Sequence, residues 1–186
     1  MPLDALISRI SALRTQQGCV LVAIDGGAAS GKSTLAEALA RQLDAALFHM
    51  DDFFLPPELR TAERLGSPGG NVHRERFLDE VLRPLRAGET VTFRPFDCGV
   101  MAFGAAVTVP RRPVTLIEGA YSHHPELREF YDLRVFLDVS PALQRARVEA
   151  RNGDMATQFF ETWIPMETRY FEHFGIREKA DVVVEA

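Results

Sequence analysis

Gly26-Gly27-Ala28-Ala29-Ser30-Gly31-Lys32-Ser33 decides the reading of this chain. The stretch fits G-x-x-x-x-G-K-[ST], the P-loop pattern. Cys19-Val20-Leu21-Val22-Ala23-Ile24 precedes it and is apolar and partly β-branched, so it predicts a buried parallel strand. Thr34 to Leu43 follows, with Leu35, Leu39 and Leu43 at helical spacing. Strand, glycine loop and helix come in the order that phosphate binding requires. Glycines let the backbone approach an oxyanion and adopt positive φ. The loop amides then curl into an anion-binding nest at a helix N-terminus. Gly26, Gly27, Ala28, Ala29, Ser30, Gly31, Lys32, Ser33 and Thr34 form the expected nucleotide-binding set. Within it Lys32 reaches β- and γ-phosphates and Ser33 ligates Mg²⁺.

Working outward, Leu3, Leu6, Ile7, Ile10 and Leu13 predict an amphipathic helix before the first strand. Residues 45–50 predict a second strand, ending at Asp51-Asp52. Residues 53–70 carry prolines and glycines and read as mostly loop. Residues 76–86 read as a helix with Phe77, Val81, Leu82 and Leu85 on one face, and Pro84 ends or kinks it. Residues 90–94 and 106–109 flank Cys98-Gly99 and predict a hairpin projecting from the main sheet. Residues 114–118, 133–138 and 181–184 predict three further strands. Ser140-Pro141 supplies an N-cap and an N1 proline for a helix that Asn152-Gly153 stops. A last helix spans about 159–174 and Pro165 interrupts it. Strands alternating with helices imply a parallel, doubly wound α/β sheet.

A chain of 186 residues suits one such domain with a full core. A net charge of −5 argues against a nucleic-acid protein with a broad basic surface. Two cysteines, Cys19 and Cys98, make no disulfide scaffold and point to a reducing compartment. The start, Met1-Pro2-Leu3-Asp4, shows no secretory pattern, and no apolar run has membrane-spanning length. The expectation is a cytoplasmic protein.

In an open parallel sheet, ligands bind beyond the carboxyl ends of the strands. Asp51-Asp52, Glu118-Gly119 and Asp138 all stand at such ends. Carboxylates gathered beside a P-loop suit a Mg–ATP site with an attacking hydroxyl. Asp51 is the expected proton acceptor, with a Mg²⁺-only or capping role as the plainer reading. Glu118 holds Mg²⁺ through water or shares the base role. Asp138 reads equally as a structural cap. Arg145, Arg147 and Arg151 lie along one helix, within a lid expected at about 145–160. Arg151, at the hinge beside Asn152-Gly153, is the expected catalytic arginine; a solvated helix face is the plainer reading. The insertion at about 53–104 should build the acceptor pocket, from Phe54, His73, Arg94, Phe96 and Asp97. No histidine shows metal-ligand spacing with a cysteine.

These residues resemble the uridine kinase/phosphoribulokinase-like group of P-loop kinases. The resemblance rests on Asp25 to Thr34, Met50-Asp51-Asp52-Phe53-Phe54, Arg94-Pro95-Phe96-Asp97, Leu116-Ile117-Glu118-Gly119 and Lys179 to Val184. It implies a five-stranded NMP-kinase-like P-loop fold, ATP and Mg²⁺ as cofactors, and transfer of the γ-phosphate to a small hydroxylated acceptor. It places the family's base at Asp51 and the acid after the third strand at Glu118. Uridine kinases carry Y-D-x-x-x-H in the hairpin, where this chain has Phe96-Asp97-Cys98-Gly99-Val100-Met101. Their other tyrosine position is Phe54. The resemblance thus favours a nucleoside-like acceptor and leaves pantothenate, nicotinamide riboside or a sugar phosphate open, along with an inactive nucleotide-binding module. A GTPase is disfavoured because neither N-K-x-D nor D-x-x-G occurs. Arg60, Arg64, Arg74 and Arg94 keep a nucleoside monophosphate kinase in view. The expected partners are ATP and the acceptor, with no nucleic acid and no membrane, in a monomer or homodimer.

Overall fold

Five parallel strands in the order β2-β7-β1-β8-β9 form the central sheet of a computed structural model that describes residues 2–186. They are β1 (Val20–Gly26), β2 (Ala46–His49), β7 (Val114–Glu118), β8 (Leu133–Asp138) and β9 (Val182–Glu185). Every pairing among them is parallel. Side chains alternate between the two faces of a strand, and β1 shows this directly. Val20, Val22 and Ile24 pack with Leu6 and Ile10 of α1 (Leu3–Gln17) and with Leu39 and Leu43 of α2 (Lys32–Leu43). Leu21 and Ala23 face the opposite layer, where Phe48, Phe53, Phe77, Val81, Leu82 and Tyr170 gather. This is the P-loop α/β fold that the sequence implies, with helices on both faces. Among the described residues no helix is long and apolar enough to cross a membrane.

The hairpin stands apart from this sheet. Its strands β3 (Val91–Phe93) and β6 (Val107–Val109) pair antiparallel, and inside them β4 (Phe96–Asp97) pairs with β5 (Ala102–Phe103). Phe93 anchors it, stacked on Phe53 with ring centroids 5.1 Å apart.

Three expectations need correction. The segment after β2 is more ordered than a loop: it holds short turns at Met50–Phe53 and Pro57–Leu59 and a helix at Ala62–Gly66, capped by Thr61. Pro84 does not end its helix, which runs from Arg74–Phe77 through a π turn at Leu78–Leu82 into Arg83–Ala87. Pro165 behaves alike, following a π turn at Phe159–Trp163 and opening the Ile164–Phe174 helix. A proline lacks an N–H and crowds the carbonyl four residues back. A π turn just before it shifts the bonding pattern, so the helix continues. Ser140 caps the Pro141–Asn152 helix as expected, accepting from Leu143 N at 3.3 Å.

Candidate active site

The loop after β1 carries left-handed φ at Ala29 (55°) and Gly31 (100°). Gly31 is the N-cap of α2 and no side chain caps that helix. The first-turn amides of α2 therefore keep no intrahelical partner, and the dipole adds positive potential. Gly26 allows close packing: a Cβ there would lie 2.4 Å from Leu137 O. Lys32 folds over the loop, Nζ donating to Gly27 O at 2.8 Å. The Ser30 hydroxyl is buried without a partner.

Three strand ends meet around this loop. β1 and β2 both pair with β7, so Ile24 and His49 flank Glu118 in register. Glu118 is 5% exposed. Its Oε1 accepts from Ser33 Oγ at 3.2 Å and lies 2.6 Å from His49 Nδ1. That contact is the first cause of a raised His49 pKa, against the lowering effect of burial. Asp51 sits in the Met50–Phe53 turn directly after β2 and is open to solvent at its surface. The protein packed around its carboxyl raises its pKa, and the Glu118 charge adds to this, while Lys32 and His49 oppose. Asp52 is shifted the same way by burial, against His49 and Arg76. Lys32, Ser33, Asp51 and Glu118 thus lie at one mouth of the sheet.

Beneath the loop, Asp25 is wholly buried. Its Oδ2 accepts from Tyr170 Oη and His123 N, both at 2.9 Å, and Oδ1 accepts from Gly26 N at 2.7 Å.

Other expected site residues fall elsewhere. Arg151 is exposed and makes no hydrogen bond or ion pair among the described residues. The helix turns Arg147 to the loop instead, where Nη1 donates to Ala29 O at 3.2 Å and Ser30 O at 3.1 Å. Arg145 lies over the Phe160 ring and pairs with Glu149. His73 caps the Arg74–Phe77 segment, its Nδ1 accepting from Arg76 N. Asp97 accepts from Gly99 N to tighten the hairpin turn. Arg94 donates to Gly104 O and Phe103 O within the hairpin. Phe96 is buried edge-on against Phe103. Phe54 is half-buried and bridges Val72. Asp138 accepts from Arg177 Nε at 2.7 Å, a structural tie. Thus His73 serves a cap, Asp97 a turn and Phe96 the packing of the hairpin, while Arg151 faces solvent.

Beside the hairpin a cavity of about 380 Å³ is lined by Arg76, Glu80, Thr92, Phe93, Arg94 and Phe103. Arg76 spans it, stacked over Phe53 (4.6 Å) and Phe103 (4.8 Å) and bound to Glu80 at 2.8 Å and to Arg94 O. Sequence reading missed His49, Arg76, Gln144 and Glu167. The signal for His49 was its place just before Asp51-Asp52 at a strand end.

An α/β sheet opening onto a P-loop, with acidic residues at the neighbouring strand ends, defines the P-loop NTPase fold. No protein-family model matches the chain. It is 26% identical to the uridine kinase of Aliivibrio salmonicida (strain LFI1238), over 89% of this chain and 86% of that one. It superposes on a possible uridine kinase from Bacillus stearothermophilus with TM-score 0.73 and 26% identity, covering 97% and 96% of the two chains. A chain described as a candidate fructose transport system kinase, from Silicibacter sp. TM1040, gives TM-score 0.75 and 27% identity over 99% of both. In sequence and in fold the chain is thus similar to uridine kinases and to other P-loop kinases.

Proposed function

We propose that this protein transfers the γ-phosphoryl group of ATP to a hydroxyl of a small, nucleoside-like acceptor. The supporting observation is the convergence of Lys32, Ser33, Asp51 and Glu118 at the carboxyl ends of β1, β2 and β7. The loop amides and Lys32 bind and orient the triphosphate. The acceptor oxygen attacks the γ-phosphorus, the bond to the β,γ-bridging oxygen breaks, and ADP leaves. The hydroxyl proton passes to the Asp51 carboxylate. A carboxyl with a raised pKa at a cleft is suited to that exchange.

Ser33 Oγ beside the Glu118 carboxylate is a pair of hard oxygen donors that fits Mg²⁺. Among the described residues no group of three or more His, Cys, Asp or Glu side chains could hold a metal. Mg²⁺ keeps water and phosphate oxygens as most of its ligands. When bound, the ion neutralises charge on the phosphate oxygens. Arg147 fixes the loop carbonyls. In this reading the chain is one kinase domain, with residues 53–104 over the acceptor and 145–160 as its lid.

A second reading, a non-nucleoside alcohol such as a sugar, is favoured by the hairpin. Phe96 carries no hydroxyl and is packed into Phe103, and Met101 stands where uridine kinases have histidine. The likeness to the Silicibacter protein supports it too. ADP release with Mg–ATP over uridine, cytidine, nicotinamide riboside, pantothenate and fructose tests both. Stimulation by uridine or cytidine upholds the first reading. Stimulation by nicotinamide riboside, pantothenate or fructose alone upholds the second, and background hydrolysis with every alcohol rejects both.

A further inference from the structure

The P-loop is held from outside as well as by its own turns. Glu167, on the Ile164–Phe174 helix, is buried, and its Oε2 accepts from Ala28 N at 2.7 Å. Gln144, on the Pro141–Asn152 helix, donates from Nε2 to Ala28 O at 2.9 Å. Two helices therefore take both polar groups of one loop residue. Arg147, three residues after Gln144 and on the same face, secures the next two carbonyls. Gly27 makes room for this grip. A Cβ there would lie 2.8 Å from Gln144 Nε2 and 3.8 Å from Glu167 Oε2.

We propose that Glu167 and Gln144 are positioning residues, a two-sided clamp on the Ala28 peptide that sets the loop's geometry for nucleotide phosphates. The inference rests on the Mg–ATP reading above. Lys32, Asp25, Asp51 and Tyr121 are the charged or titratable groups that face Glu167, with Arg169 close to Tyr121. Burial pushes the Glu167 carboxyl up to about 7, with Asp25 and Asp51 adding to it and Lys32 and the Ala28 amide opposing. Polyphosphate arriving at the loop disfavours a nearby negative charge. The protonated acid is neutral and still offers Ala28 N a carbonyl oxygen. Binding therefore takes up a proton, and affinity falls as pH rises through the neutral range.

Calorimetric titration of the full chain with Mg–AMPPNP between pH 6 and 8 tests this. For the wild type, Kd should rise about threefold to tenfold with pH, with buffer-dependent heats that report proton uptake. Glu167→Gln keeps an acceptor without the titration, so its Kd should be flat with pH and the uptake lost. Gln144→Ala and Glu167→Ala should weaken binding about tenfold. A Glu167→Gln profile that follows the wild type, or a Gln144→Ala Kd equal to it, overturns the clamp and leaves nucleotide binding standing. Failure of the wild type to bind Mg–AMPPNP overturns the nucleotide reading itself. Glu167→Gln and Gln144→Ala keep the test decisive should Glu167→Ala not fold.

Discussion

His49 Nδ1 lies 2.6 Å from Glu118 Oε1, the oxygen that also accepts from Ser33. The end of β2 is thereby tied to the start of α2 through one carboxylate. Removing that charge should release the histidine. In Glu118→Gln the imidazole pKa should drop toward 6.5 or below, since burial then outweighs what remains. Imidazole shifts followed by NMR against pH check this. The sign for stability follows from a folded pKa above the unfolded one. The contribution is full below about 6.5 and fades as pH rises through the raised value. The difference in melting temperature between wild type and variant should shrink over that interval.

Asp51→Asn should cut phosphoryl transfer by about 10²–10⁴-fold while nucleotide binding persists. The role proposed for Asp51 needs the ionised form. Because the protein packed around its carboxyl and the Glu118 charge raise this pKa, kcat should fall on the acid side at a higher pH than for an ordinary aspartate. Steady-state rates against pH, with binding measured separately, check both statements.

Lys32→Ala should lower turnover by about 10²–10³-fold, as for loss of one donor aimed at developing charge. Wild-type turnover with Mg–ATP would remove Lys32 from the proposed site.

Gly119→Ala probes how tightly the floor of the crevice is packed. Gly119 has φ +138°, and a Cβ would sit 2.7 Å from Met50 Cβ, one residue before Asp51. Overpacking of this kind costs about 1–3 kcal/mol. Both the urea midpoint and kcat should fall, because the displaced turn carries Asp51.

Tyr170→Phe removes one of the two donors to Asp25 Oδ2 and leaves His123 N. Loss of a buried bond to a charged group costs about 1–3 kcal/mol. Chemical denaturation measures it, and Tyr131→Phe, whose hydroxyl has no partner, is the control that should cost less.

Much of the fold could be read from residues close in sequence. Val20–Ile24, Val114–Ile117 and Leu133–Leu137 are apolar runs because a central parallel strand is covered on both faces. The loop from Gly26 to Ser33 declares itself because phosphate binding needs a contiguous run of main chain. The clamp could not be read this way. Glu167 meets Ala28 across 139 residues and Gln144 across 116, and neither carries a local pattern. Pro84 and Pro165 mislead for a different reason: the π turns before them leave no mark in side-chain chemistry. The cap, hairpin and turn bonds that His73, Arg94 and Asp97 make were not legible either, because they depend on backbone geometry.

The two antiparallel ribbons formed by residues 91–109 share no main-chain ladder with the five-stranded sheet. They are fastened through Val91 and Phe93 in the aromatic layer. Beyond Phe93 a further tie comes from Arg76, which bonds Arg94 O and lies over the Phe103 ring. The strands that carry Lys32 and Glu118 to the mouth of the crevice are held by a separate ladder of their own.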